Sequence, residues 1–219
     1  MAKKQTTQSA PRQVNRNKTD HQYSRMPKTY SLLKEIREDA LYKAHVDRRD
    51  ARARKIINEH GIPVGPGKLI AGNLYLMEYF YPKTEAQLDY YDAMPCSIIF
   101  GKFKTKKGEP RVLAFSIHYF PPRIRFQVMN KVMEIYQNIY KGSWKKGLGK
   151  DLSFLEYQQL LYLLKKAKLE FAVHEYIPKL IGDCILVPPS LWHIAVFTEG
   201  RFKKQTREAI LRHWANFKP

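Results

Sequence analysis

The stretch RVLAFSIHYFPPRIRFQVMNKVMEIYQNI at 111–139 changes periodicity within a few residues. Arg111–Phe120 is rich in β-branched and aromatic side chains and reads as a strand. Pro121-Pro122 ends it, because proline donates no ladder hydrogen bond, and the same pair opens a helix, whose first turn tolerates proline. On that helix Ile124, Val128, Val132, Ile135 and Ile139 form one apolar ridge. A strand that runs straight into a one-sided helix points to a sheet with helices laid against it.

The neighbouring segments extend this pattern. Ser97–Lys104 reads as a second strand, joined to the first by a hairpin loop at Lys106–Pro110 that contains Gly108. Leu69–Tyr81, with LYLMEYFY, reads as a further strand. Downstream, Ser153 and Glu156 have capping-box spacing for a helix to about Lys168, with Leu160, Leu161, Leu163 and Leu164 toward the core. Phe171–Tyr176, Cys184–Val187 and Ile194–Phe197 are short strand candidates, and Lys203–Phe217 reads as a basic helix. The fold class is therefore α+β: an antiparallel sheet with a β-hairpin, packed against several helices.

Ahead of this core, residues 1–30 form a basic arm. Lys3, Lys4, Arg12, Arg16, Lys18, Arg25 and Lys28 stand against the single acid Asp20, with too few aliphatics to bury a core. Such an arm suits an anionic surface or the groove between subunits. Ser31 is an N-cap candidate for a long helix over 31–61. Its first half carries an apolar stripe, Leu32, Leu33, Ile36, Ala40, Leu41 and Ala44. The second half, DRRDARARK at 47–55, loses it, and there Arg48, Arg52 and Lys55 share one face. Gly61 fits the position after the helix, and residues 62–67 read as a Pro/Gly linker to a core domain at 68–219.

The net charge is +19, of which +8 lies before Gly65 and +11 after it. A surface this positive repels itself unless an anionic partner sits on it, with nucleic acid the first candidate. Cys96 and Cys184 lie in apolar runs and read as buried free thiols. The N-terminus is polar, without the apolar stretch of a signal peptide, and no run of about 18 apolar residues exists, so no membrane association is expected.

No catalytic constellation is specific. No two of the seven histidines fall at i, i+3 or i+4 on a helix, and Cys184 with His174 or His193 lacks zinc-site spacing, so neither metal nor cofactor is expected. Asp89 and Asp92, with Glu85, are the densest carboxylates for a metal-dependent nuclease, but aspartate in a turn explains them more simply. KGSWKKGLGK at 141–150 fails as a phosphate loop because Leu148 holds the lysine position. Its Lys141, Lys145, Lys146 and Lys150 can still meet phosphate, and Trp144 can stack on a base. Arg123 and Arg125 sit in the first helical turn after Pro121, where the macrodipole disfavours cations. Two arginines there suit a bound anion, and their replacement by Gln would then leave the fold intact; the alternative is that both side chains pack back along the helix and pair with carboxylates.

Four stretches in order, YYDAMP at 90–95, SIHYFPPRIR at 116–125, HEYIPKLIGDCILVPPSLWHIAVF at 174–197 and RFKKQTREAILRHW at 201–214, resemble a family of small virion-associated, head-completion-type proteins of T-even-like tailed bacteriophages. The resemblance covers roughly residues 68–215. The chain departs from the family pattern at Lys102, Lys104, Lys106 and Lys107, where a shorter apolar segment is usual. It implies DNA-end protection or assembly of the head, neck or baseplate, in several copies, with other virion proteins and packaged double-stranded DNA as partners. It also implies synthesis in the host cytoplasm followed by incorporation into the virion. A free nucleic-acid-binding protein and a DNA-processing nuclease are the competing readings.

Overall fold

A computed structural model of the chain describes residues 28–80, 90–139 and 152–212. The chain divides into two units, Met1–His45 and Val46–Pro219. Of the first, the described part is helical backbone: α1 spans Lys28–His60 and continues into the second unit. It begins three residues before Ser31, directly after Pro27 in the sequence, a residue compatible with helix starts. Lys28, expected in the arm, is therefore helical.

The second unit is α+β, as its strand-to-helix corner requires. Among the described residues its main sheet has six strands: β1 (Ile62–Val64), β2 (Leu74–Tyr79), β4 (Cys96–Lys104), β5 (Pro110–Ser116), β6 (Val173–Tyr176) and β7 (Ile181–Val187). Their order is β1-β7-β2-β4-β5-β6, with every pairing antiparallel. β3 (Tyr91–Asp92) pairs separately with β8 (Phe202–Lys203). The helices are α2 (Pro122–Ile139), α3 (Phe154–Lys166), the short α4 (Trp192–Ala195) and α5 (Arg207–Leu211).

The sheet is apolar on both faces, which is why LYLM carries no polar alternation. Leu74, Leu76, Ile98, Phe100, Leu113 and Phe115 face one cluster with Val128, Val132 and Ile135 of α2 and Leu160 and Leu164 of α3. Tyr75, Met77, Tyr79, Ile99, Val112, Ala114 and Tyr176 face a second, smaller one. The expected hairpin is β4–β5, closed by Thr105 N–H donating to Glu109 O at 2.9 Å. The expected capping box is present: Glu156 N–H donates to Ser153 Oγ, and Ser153 N–H donates to Glu156 Oε2 at 2.9 Å.

Three expectations are corrected. Ile62–Val64, assigned to a linker, is an edge strand with Ile62 opposite Leu186 and Val64 opposite Cys184; Pro63 is tolerated there because edge strands leave N–H groups unpaired. Ile194–Phe197 is not a strand. Trp192–Ala195 is a helical turn, with Phe197 and Thr198 N–H groups donating to Ile194 O and Ala195 O, both at 3.0 Å. A short apolar run does not distinguish the two periods, and the Trp192 indole N–H, donating to Val187 O, fixes the turn. The terminal helix starts later than expected: Phe202–Lys203 pairs as β8, and α5 starts only at Arg207, capped by Thr206, while residues 213–217 of the expected helix lie outside the described residues.

Gly61 is glycine for space, since its φ is not positive. A Cβ there would stand 2.3 Å from Ile185 Cγ2 and 2.5 Å from the Ile57 carbonyl oxygen. Gly61→Ala is expected to destabilise the protein by about 1–3 kcal/mol through overpacking, measured as a lower urea midpoint. An unchanged midpoint would show that β1 can move away freely.

Candidate nucleic-acid interface

The half of α1 from Val46 onward presents two unlike faces. Ala53 and Ile57 are buried, and so are Asp50 and Arg54, which stand one turn apart and form an ion pair, Arg54 Nε donating to Asp50 Oδ1 at 2.7 Å. The apolar stripe fades in DRRDARARK because its inward face is this ion pair. Arg48, Arg49, Arg52 and Lys55 are exposed.

The buried pair holds a loop. Asp50 Oδ1 accepts the Glu199 N–H at 2.8 Å, and Arg54 Nη2 donates to the Glu199 carbonyl oxygen at 2.5 Å. The same loop is held by Arg125 of α2, fully buried at 0% exposure. Its Nε donates to Phe120 O at 2.7 Å, and its Nη1 donates to Val196 O at 2.8 Å and to Thr198 O. Its Nη2 donates to Glu199 Oε2 at 3.1 Å, a carboxylate that also pairs with Arg207 at 2.9 Å. Burial pulls the Arg125 pKa down and Glu199 opposes this. Arginine is basic enough to keep its proton regardless.

A third tie runs beneath. Asp92 Oδ2 lies 2.6 Å from His118 Nδ1, and His118 Nε2 lies 3.0 Å from Thr198 Oγ1, which donates to Ala195 O at 2.7 Å. Asp92 Oδ1 accepts the N–H groups of Met94 and Arg201 at 3.0 and 2.8 Å. Burial pushes the Asp92 carboxyl up, but His118 and the two backbone donors outweigh it and hold the pKa below its ordinary value. The Asp-His-Thr order looks like a nucleophile relay. His118 and Thr198 are, however, at 0% exposure, so the row is shut off from any substrate and serves as a strut.

Val196–Arg201 is thus fixed from three sides, and Phe197 points outward from it, 38% exposed. The Arg49 guanidinium lies over its ring, 5.7 Å from the centre. Phe197, Arg49, Arg52, Ala53, Ile56 and Ile194 line a cleft of about 410 Å³. Its walls offer two cations, an aromatic face and an apolar floor, with no carboxylate.

The site differs from the one expected. Arg48, Arg52 and Lys55 share the exposed side of α1; Arg52 reaches the cleft, and Lys55 makes an exposed 3.8 Å pair with Glu59. Arg123 is exposed on α2. Arg125 is corrected: its guanidinium is spent on three carbonyls and Glu199 of its own chain, so it is a structural hub and not a surface anion ligand. Asp92 is likewise saturated by its own chain, so it is not an open metal ligand. Asp89, Glu85, Lys141, Trp144, Lys145, Lys146, Lys150 and the arm residues Lys3, Lys4, Arg12, Arg16, Lys18 and Arg25 lie outside the described residues. Sequence reasoning missed Arg49 and Phe197. The adjacent arginine in DRRD was a signal for the first, whereas the strand assignment hid the second. Burial pushes the Cys96 thiol up to about 12 and Cys184 up to about 11, so both cysteines stay protonated. Among the described residues no three His, Cys, Asp or Glu side chains cluster to hold a metal, and no helix is long and apolar enough to cross a membrane.

These features define a strongly basic α+β protein with solvent-facing arginines and a phenylalanine held on a rigid frame. Residues 3–203 match the family model described as phage T4 terminal DNA protecting protein, and the chain belongs to that family. The match extends the resemblance read from 68–215 back through α1 and most of the arm. No curated protein and no solved structure matches the chain.

Proposed function

We propose that this protein protects the ends of linear phage DNA by binding them, without catalysing a reaction. It is made in the host cytoplasm and carried in the virion, in several copies and next to other virion proteins. The observation that carries this reading is the exposed row Arg48, Arg49 and Arg52, none of which pairs with a carboxylate among the described residues, on a chain of a terminal-DNA-protecting family. Cations that face solvent on a protein of net charge +19 are available to phosphate oxygens. Contacts to phosphate carry no sequence information, so affinity is expected to follow charge and not sequence.

Linear duplex incubated with the protein is expected to resist a processive exonuclease. Its affinity should fall steeply as salt rises, because bound phosphates release counterions. Replacing Arg48 and Arg52 by Gln should lower the slope of log affinity against log salt by about 2, roughly 0.9 per phosphate contact, with the melting temperature kept. Unhindered degradation of the ends, or binding flat with salt, would sink the reading. DNA cleavage by the purified protein would establish an enzyme instead.

A further inference from the structure

We propose that the cleft between α1 and the Val196–Arg201 loop seats the terminal base of a DNA end, stacked on Phe197, with its phosphate met by Arg49 and Arg52. This deepens the end-protection reading and rests on it. The argument starts from the accessibility of a base face. Inside a duplex every base face is covered by its neighbours, and exposing one costs a few kcal/mol of unstacking. Only at a terminus is a face free. A solvent-exposed aromatic ring on a rigid loop is therefore selective for ends without reading sequence, since every base has a π-face.

The cleft has the parts this needs. Phe197 is exposed, although the residues around it, Ala195, Val196, Thr198 and Glu199, are buried. Ile56, Ala53 and Ile194 give an apolar floor, and Arg49 and Arg52 bring guanidinium groups to it. The volume of about 410 Å³ lies in the range of clefts that hold small ligands, roughly 300–1,000 Å³. Two cations without a facing carboxylate disfavour a basic or neutral peptide and favour a ligand that is both aromatic and anionic, which a nucleotide is. The Asp50–Arg54 pair and Arg125 fix the loop before binding, so little ordering entropy remains to oppose it. Arg48 and Lys55, on the adjoining exposed face of α1, extend the positive surface along the helix for the strand that leads away from the end.

The test compares a blunt-ended linear duplex with a covalently closed circle of the same sequence, at one salt concentration. The wild-type protein should prefer the linear form. Phe197→Ala should lose about 5- to 150-fold on ends, the span of aromatic–base stacking, while binding the circle as before. Phe197→Trp should keep the preference, and Arg49→Gln should weaken the end complex without abolishing binding to the circle. Retained circle binding shows that each variant is folded. A wild-type protein with no preference for ends would overturn the end-protection reading and this site together. A wild-type preference that survives Phe197→Ala would overturn the site alone and leave the cleft for an acidic protein segment. Equal loss on both substrates would place Phe197 in general binding and also overturn the proposal.

Discussion

Replacing Arg125 by Met is expected to destabilise the protein by about 3–5 kcal/mol, the cost of removing one partner from a buried, hydrogen-bonded ion pair. The loss is large because one guanidinium serves four acceptors. Without it the carbonyl oxygens of Phe120, Val196 and Thr198 each lose a donor in a region closed to water, and Glu199 keeps its pair with Arg207 alone among the described residues. Arg125→Lys should fail almost as badly, since a single ammonium cannot reproduce the planar fork. An Arg123→Gln control, on an exposed neighbour in the same turn, should stay within about 0.5 kcal/mol. Urea denaturation of the three variants measures this directly. If Arg125→Met lost no more than the Arg123 control, the guanidinium would not be the hub of the loop. A loosened loop would also carry Phe197 with it, so the same variant should bind DNA ends poorly even where it remains folded.

Mild acid is expected to weaken the fold by up to ~3 kcal/mol between pH 6.5 and 4, through His174. Burial takes that imidazole from its ordinary 6.5 down to about 4, and its ring packs 4.5 Å from the Tyr119 ring. Below pH 6.5 the unfolded chain takes up a proton that the folded chain refuses. Stability therefore falls as pH drops through this window and levels off near 4. Asp92 acts at lower pH in the same direction. Its carboxyl is held below the ordinary 3.8, so the stability it contributes is complete above that value and is lost as pH falls through its folded pKa. His174→Gln should reduce the slope between pH 6.5 and 4, leaving the part that buried His118, also held below the ordinary 6.5, contributes in the same direction, and leaving the Asp92 drop at lower pH in place. Denaturation midpoints collected across this range would show it, and an identical slope in the variant would remove His174 as the cause.

The α+β class, the strand-to-helix corner at Pro121-Pro122, the β4–β5 hairpin and the Ser153–Glu156 capping box were all legible in the residues. Each rests on interactions within a few positions: proline's missing donor, a glycine-containing turn, a side chain reaching a backbone N–H three residues on. The order of YYDAMP, SIHYFPPRIR and the later motifs was legible too, and it led to the family. The exposed cations Arg48, Arg52 and Lys55 followed from helical spacing alone.

What only the tertiary structure decided is the fate of the polar residues. Arg123 and Arg125 look alike in sequence, two arginines in one helical turn, yet one faces solvent and the other is the most enclosed cation described. The difference lies in carbonyls 71 and 73 positions away that converge on one guanidinium. The faded stripe of DRRDARARK likewise gave no sign that Asp50 would meet a backbone N–H 149 positions on, at Glu199. Phe197 is in the same position: its run allows strand or helix, and its exposure depends on a loop held by α1, α2 and His118 together. Local chemistry set the elements of this protein, whereas the buried charges and the cleft arise where distant segments satisfy one another's hydrogen bonds, which a linear pattern does not record.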